Sequence, residues 1–371
     1  MMIIDLIAGA RPNFMKIAPI IHAIDKFNEN TKRINYRLIH TGQHYDNNMS
    51  RIFFEQLEIP GPAINLMAGG GTQAEQTSAI MIGYEKVLIK EKSDLCLVVG
   101  DVTSTLACSI VAQKMHIPVA HVEAGIRSGD WTMPEEINRM VTDSITNYFF
   151  TTSVVANENL KRTGVNENRI FFVGNTMIDT LLKNKSKFLK PGIWDLLGLK
   201  NKEYIIVTLH RPANVDEEEG LKLLLDEIIG STRELPIIFP VHPRTLKILN
   251  NIGVSNPRLH LVEPMGYLEF NYLVEHSKAV ITDSGGITEE TTVMGIPCIT
   301  LRDNTERPET VTIGTNELIG TNPKAIKPAL DLLFSGRWKK GRIPELWDGK
   351  AAERIVTVIE DIFSSSESIG R

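Results

Sequence analysis

The chain has 371 residues, enough for about two domains that each bury a substantial core. Its 40 basic and 45 acidic residues leave a formal net charge of −5, which gives no broad positive field for coating nucleic acid or an anionic lipid surface. Cys96, Cys108 and Cys298 stand alone in apolar stretches without paired metal-ligand spacing, no apolar run approaches the ~18 residues of a membrane span, and the amino terminus lacks a basic export region. The expected setting is the reducing cytoplasm, with any phosphate recognised at a local site.

Short runs rich in Val, Ile and Leu alternate with amphipathic stretches, the pattern of a parallel sheet wrapped by crossover helices, so the expected class is α/β. Predicted strands in the first half are Ile3 to Ala8, Tyr36 to Thr41, Leu95 to Gly100, Val119 to Val122, Tyr148 to Thr151 and Ile170 to Val173. The stretch from Lys183 to Lys202 breaks this rhythm with lysines, Pro191 and Gly192. A second series follows at Tyr204 to Leu209, Ile237 to Val241, Leu259 to Val262, Ala279 to Thr282 and Cys298 to Leu301. The expectation is two Rossmann-like domains, 1–185 and 186–371, facing across a cleft, with the last helix (about 350–371) packing back on the first domain. Ligands of such sheets sit beyond the carboxyl ends of the strands, so polar residues just after strands carry the most information.

In chain order, the first such place is Gly9-Ala10-Arg11-Pro12-Asn13-Phe14-Met15-Lys16, where a helix start with Arg11 and Lys16 reads either as an anion cradle or as an ordinary solvated helix start. Three carboxylates follow strands or open helices: Asp101, Glu123 and Glu135. Each alone fits a structural role, and Glu135 is spaced to pair with Arg139 on one helix face; all three at one rim point to acid and base work. His210 and His242 stand at strand ends in the second half, where a satisfied core histidine is the commoner fate. Ser284-Gly285-Gly286 opens a helix after a buried strand, so its amides can approach a diphosphate, while a plain N-cap with a capping box is the alternative. Glu290, further along that helix, would repel phosphate but suits the hydroxyls of a ribose. No H-E-x-x-H cluster and no G-x-G-x-x-G after a strand occurs, so neither a bound metal nor a tightly held NAD is expected, and no other cofactor.

Taken together, these motifs resemble the non-hydrolysing UDP-N-acetylglucosamine 2-epimerases from end to end. The specific pieces are Gly9 to Pro12 with Lys16, Val99-Gly100-Asp101, His121 to Gly129, Pro134 to Arg139, Val173 to Thr176, Asp283 to Glu290 and Arg302 to Glu309. The resemblance implies a glycosyltransferase B-type fold, a homodimer, and reversible epimerisation at C2 of a UDP-N-acetylhexosamine for surface polysaccharide precursors. It implies Asp101, Glu123 and Glu135 as catalytic carboxylates and His210 near the diphosphate. Arg11, Lys16, Ser284, Gly285, Gly286, Glu290 and Arg307 would hold UDP, Phe270 would lie beside the uracil, and Arg139 and His242 complete the substrate-binding set.

The chemistry agrees with the resemblance. The hydrogen at C2 has no ring carbonyl beside it, so without NAD the open route is loss of UDP from C1 together with the C2 proton, followed by re-addition to the glycal. A hydrolysing epimerase, a UDP-sugar glycosyltransferase and a non-catalytic nucleotide-sugar binder are the competing readings. Departures also exist. Ala10 to Asn13 replaces the T-R-P-E of many relatives, His210-Arg211-Pro212-Ala213-Asn214 replaces H-R-R-E-N, and Gly69 to Gly71 stands where a more basic loop is expected. In relatives, part of this region and the loop after Thr41-Gly42-Gln43-His44 form a second donor-sugar site, so the expectation of activation by substrate is weakened.

Overall fold

The computed structural model describes residues 1–42, 54–241 and 243–369. Contacts divide the chain into two compact units, Met1–Thr180 with Glu345–Arg371, and Leu181–Pro344. The division falls inside the helix Thr176–Asn184, slightly before the boundary expected from sequence, and the C-terminal helix belongs to the first unit.

The first unit holds a seven-stranded parallel sheet in the order β3-β2-β1-β4-β5-β6-β7. Its strands are β1 (Met2–Ala8), β2 (Ile34–His40), β3 (Ile64–Asn65), β4 (Leu95–Val99), β5 (Val119–Val122), β6 (Tyr148–Thr151) and β7 (Ile170–Phe172). Every residue of β4 and β5 is buried, as a strand covered by helices on both faces requires. Asp5, in the middle of β1, is fully buried yet satisfied: Arg37 on the neighbouring strand donates to both carboxylate oxygens at 2.7 and 3.0 Å, and the Tyr84 hydroxyl adds a bond of 2.9 Å. The strand order reverses between β1 and β4, the place where open α/β sheets leave a crevice at their carboxyl edge.

The second unit repeats the architecture with six parallel strands in the order β10-β9-β8-β11-β12-β13. They are β8 (Ile205–Thr208), β9 (Ile237–Pro240), β10 (Leu259–Val262), β11 (Ala279–Thr282), β12 (Cys298–Thr300) and β13 (Asn316–Leu318). Successive side chains enter different cores: Ile205, Val207 and Ile281 pack on one face of the sheet, Ile206 and Val280 on the other. The reversal of strand order lies between β8 and β11. β3 and β13, two and three residues long, are additions to the strands predicted from sequence. Cys96, Cys108 and Cys298 are buried and free. No helix among the described residues is long and apolar enough to cross a membrane.

Candidate active site

In the first unit the carboxyl ends of β1, β4 and β5 are tied together by side chains. Asn13 accepts from the amides of Gly9 and Ala10 at 3.0 and 2.9 Å and donates to the Val99 carbonyl at 3.1 Å, joining the end of β1 to the end of β4. An ionised carboxylate at this position would have no hydrogen to donate to that carbonyl. Gly100 follows with φ +67°, a conformation that favours glycine, and a Cβ there would crowd Lys16 Nζ at 3.0 Å.

Glu123 sits just past β5 with φ +70°, a conformation that costs a non-glycine residue on the order of 1–3 kcal/mol and is characteristic of functional sites. The amides of Glu123 and Ala124 both reach the Phe150 carbonyl, at 3.0 and 3.1 Å, which holds the turn in place. Its buried carboxylate lies 2.5 Å from Lys16 Nζ. Lys16 is thus engaged with Glu123, an arrangement that the reading of Lys16 as part of an anion cradle did not anticipate. Arg11 opens the helix Arg11–Asn28 at the same rim.

Asp101, at the end of β4, accepts from Arg139 Nε and Nη2 at 3.0 and 2.6 Å, and Asn138 donates to its backbone carbonyl at 2.8 Å. Arg139 also pairs with Glu136 at 2.6 Å. The pair between Glu135 and Arg139 that their spacing allows does not form: Arg139 turns to Asp101 and Glu136, and the carboxylate of half-buried Glu135 makes no hydrogen bond or ion pair among the described residues. Glu136 accepts from the amides of Ser128 and Gly129, each at 3.0 Å. Burial pushes its carboxyl up, but those amides and Arg139 outweigh it and hold it below the usual range.

One helix, Pro134–Ile145, therefore organises the rim. It fixes Asp101 through Asn138 and Arg139, and the loop at 128–129 through Glu136. Asp143 meets His121 and Arg127, each at 2.7 Å. Glu135 and Glu136 lie in its first turn, where the helix dipole favours acids. Sequence reasoning found Glu135 and Arg139 but missed Glu136, Asn138 and Asp143. The signal was the spacing 136, 139, 143, which puts charged residues on one face at i, i+3 and i+7.

In the second unit Asp283 follows β11 and is fully buried. It accepts from the amides of His210 and Arg211, at 3.1 and 2.9 Å, and from Asn214 Nδ2 at 3.1 Å, while His210 Nδ1 lies 2.6 Å from its Oδ1. Burial pushes Asp283 up, but His210, the Arg211 amide and Asn214 prevail and hold it below the usual carboxylate range. His210 is anchored by one ring nitrogen while 61% of its side chain remains exposed. Sequence reasoning quoted Asp283 within a motif without giving it this role.

Ser284 is the N-cap of the helix Gly285–Met294, but its side chain makes no capping bond and Thr288 donates back to the Gly285 carbonyl at 2.6 Å. The capping-box alternative is therefore not what the structure adopts. The nearest atom to a Cβ on Gly285 would be Arg302 Nη1 at 3.9 Å, so protein packing leaves space at this helix start. Such a start, with uncapped amides and a positive dipole end, suits an anion.

Glu290, deeper in the same helix, accepts from the Tyr267 hydroxyl at 2.9 Å. Burial pushes it up to about 7, with Glu289 adding to the rise and bonds from Tyr267 and Asn271 opposing it. Tyr267, a partner that sequence reasoning missed, is pushed well above its ordinary value by burial and by Glu290. Arg307 is buried against Glu289. Phe270 lies on the helix Tyr267–His276, partly buried against the core formed by Leu273 and Val274. His242 and the loop 43–53 after Gly42 lie outside the described residues. Among the described residues no group of three or more His, Cys, Asp or Glu is arranged to hold a metal ion.

Comparison with known proteins narrows the chemistry these rims serve. The model of the family described as UDP-N-acetylglucosamine 2-epimerase matches residues 26–360. The UDP-N-acetylglucosamine 2-epimerase of Methanocaldococcus jannaschii is 43% identical over 370 residues, covering 96% of this chain and 98% of its own. Its crystal structure in complex with UDP-GlcNAc and UDP superposes with a TM-score of 0.86 over 97% of this chain and 99% of that one. The UDP-2,3-diacetamido-2,3-dideoxy-D-glucuronate 2-epimerase of Pseudomonas aeruginosa is 39% identical over 322 residues, 85% of this chain and 87% of its own. With the family model spanning most of its length and relatives of this kind matched almost end to end, the chain is an enzyme that belongs to the UDP-N-acetylglucosamine 2-epimerase family.

Proposed function

We propose that this enzyme interconverts UDP-N-acetylglucosamine and UDP-N-acetylmannosamine without hydrolysis, acting in the cytoplasm as a homodimer that supplies surface polysaccharide precursors. The observation that carries the reading is the pair Asp101 and Glu123 at neighbouring strand ends, each held by its own cation, Arg139 and Lys16. A carboxylate removes the C2 proton while the C1–O bond breaks and UDP leaves with its electron pair, giving a C1=C2 glycal. A second acid then protonates C2 from the opposite face as a diphosphate oxygen re-forms the bond to C1. Asp101, Glu123 and Glu135 share these roles as a group.

The second unit holds the nucleotide in this reading. The diphosphate rests on the amides at Gly285 and Gly286 and the Ser284 hydroxyl, the Ser284 amide being taken by Thr282 Oγ1 at 3.0 Å, with Arg11 and Arg307 adding charge and His210, steadied by Asp283, donating to the departing oxygen. Glu290 takes the ribose hydroxyls, and Phe270 lies beside the uracil. Lys16, Arg139 and His242 complete the contacts.

The test is proton NMR of the purified enzyme with UDP-N-acetylglucosamine in D2O, without added metal, cofactor or acceptor. The expected result is UDP-N-acetylmannosamine carrying deuterium at C2. Free N-acetylmannosamine would move the assignment to a hydrolysing enzyme, and an unchanged spectrum would reject the substrate. The similarity to the Pseudomonas aeruginosa enzyme favours one second reading, a hexosamine further modified at C3 and C6, which the same experiment with that nucleotide sugar decides.

A further inference from the structure

His121 lies on β5, two residues before Glu123, and is fully buried. Its Nδ1 is 2.7 Å from Asp143 Oδ1 and its Nε2 is 2.8 Å from the Gly100 carbonyl oxygen. A carbonyl oxygen can only accept. Asp143 also accepts, because its other oxygen takes the Gly125 amide at 3.1 Å and Arg127 at 2.7 Å. Burial pushes Asp143 up, yet His121 and Arg127 outweigh it and keep it below the usual range, so it stays a carboxylate. Both ring nitrogens therefore face acceptor oxygens, an arrangement in which either neutral tautomer sets a nitrogen lone pair against an oxygen lone pair at one end.

A buried cation is a poor choice for stability alone, since well-packed apolar residues of similar volume often do as well. What it secures here is position. The Gly100 peptide leads directly to Asp101, and its amide donates to the Val122 carbonyl at 3.0 Å while its carbonyl takes His121. Both polar groups of Gly100 are thus bound to β5. At the other end of the bridge, Asp143 holds the Gly125 amide, two residues past Glu123.

We propose that His121 is a positioning residue for epimerisation, a buried imidazolium that with Asp143 clamps the ends of β4 and β5 and so fixes Asp101 and Glu123 relative to the sugar. The inference rests on the function proposed above and adds a residue to that site. A displacement of about 1 Å at reacting groups costs on the order of a hundredfold in rate, whereas UDP contacts remote from the clamp are untouched.

The test uses the full chain. In protein labelled with 15N-histidine, wild type should show one solvent-protected histidine with both ring nitrogens protonated at the assay pH, a signal absent from His121→Gln. A single neutral tautomer at His121 overturns the proposal whatever the variants do. His121→Gln and Asp143→Asn are then assayed per UDP-binding site counted by calorimetry, so that unfolded protein drops out. The expected loss in turnover is about a hundredfold, with KM and UDP affinity within about threefold of wild type and His121→Gln more active than His121→Ala. Near-normal turnover per site in His121→Gln, or equal losses of turnover and UDP binding, overturns the proposal. Wild type that exchanges no C2 proton overturns the function and this inference together, whereas exchange by wild type and an equally active His121→Gln overturns this inference alone.

Discussion

Glu123 has the Lys16 ammonium at 2.5 Å, whereas Glu290 has the Tyr267 phenol at 2.9 Å and a second carboxylate, Glu289, raising its pKa. The two buried glutamates should therefore answer differently to removal of their charge. For Glu123→Gln the shape and the Lys16 contact are largely kept while the base is lost, so turnover should fall by about 10²–10⁴, with UDP affinity measured by calorimetry within about threefold of wild type. Full turnover in that variant would remove Glu123 from the chemistry. Glu290 predicts a pH effect on stability. Folded, it keeps its proton up to about 7, while unfolded it releases it near 4.5. In that window the folded state binds more protons, so the stability that protonated Glu290 contributes at acid pH is lost as pH rises to about 7 and changes little above. Relative to wild type, Glu290→Gln should gain on the order of 3 kcal/mol between those limits in urea unfolding. Parallel pH curves for the two proteins would contradict this environment for Glu290.

At the scale of elements, the helix Pro134–Ile145 binds the rim through buried charges, so its failure should be local. Glu136→Gln keeps the volume but weakens the acceptor for Ser128, Gly129 and Arg139. A lost charged hydrogen bond of about 1.5–3 kcal/mol corresponds to roughly ten- to 150-fold faster amide exchange. That increase is expected at Ser128 and Gly129 by mass spectrometry, while β6 stays protected; unchanged exchange at both amides would deny Glu136 its role. This element also shows what sequence does and does not reveal. The buried strands are legible because runs such as Leu95–Val99 must be covered on both faces, and residues just past them, Asp101 and Glu123, become candidates by position. Glu136, Asn138, Asp143 and Tyr267 look like ordinary helix-surface residues until the sheet places partners against them. β3 and β13 are too short to show a period, and Lys16 against Glu123 spans 107 positions, which no local pattern encodes.

At the scale of the whole molecule, the second unit is an insertion: the chain leaves the first unit after Thr180 and returns at Glu345. The returning segment completes the first unit. Trp347 is buried and donates to the Thr152 carbonyl at 3.0 Å, and the amides of Ala351 and Ala352, at the start of the helix Ala351–Ile369, bond to Asp179 at 3.1 and 2.7 Å. Ile355, Val356 and Ile359 are buried on the same helix. At about 1.5–3 kcal/mol for each large apolar side chain, these four contribute roughly 6–12 kcal/mol as an upper estimate. That is comparable to the 5–15 kcal/mol that holds an ordinary domain folded. A chain ending at Pro344 should therefore lose the first unit and keep the second, whose sheet and both cores lie within Leu181–Pro344. Limited proteolysis read by mass spectrometry should show rapid cleavage across residues before 180 and a resistant fragment after it. UDP at about a hundred times its dissociation constant should protect that fragment further, by roughly 2.7 kcal/mol, if the nucleotide is held there as proposed. Loss of both units at the same rate would mean that the second cannot stand without the first, and an intact first unit would mean that the C-terminal helix is dispensable to it.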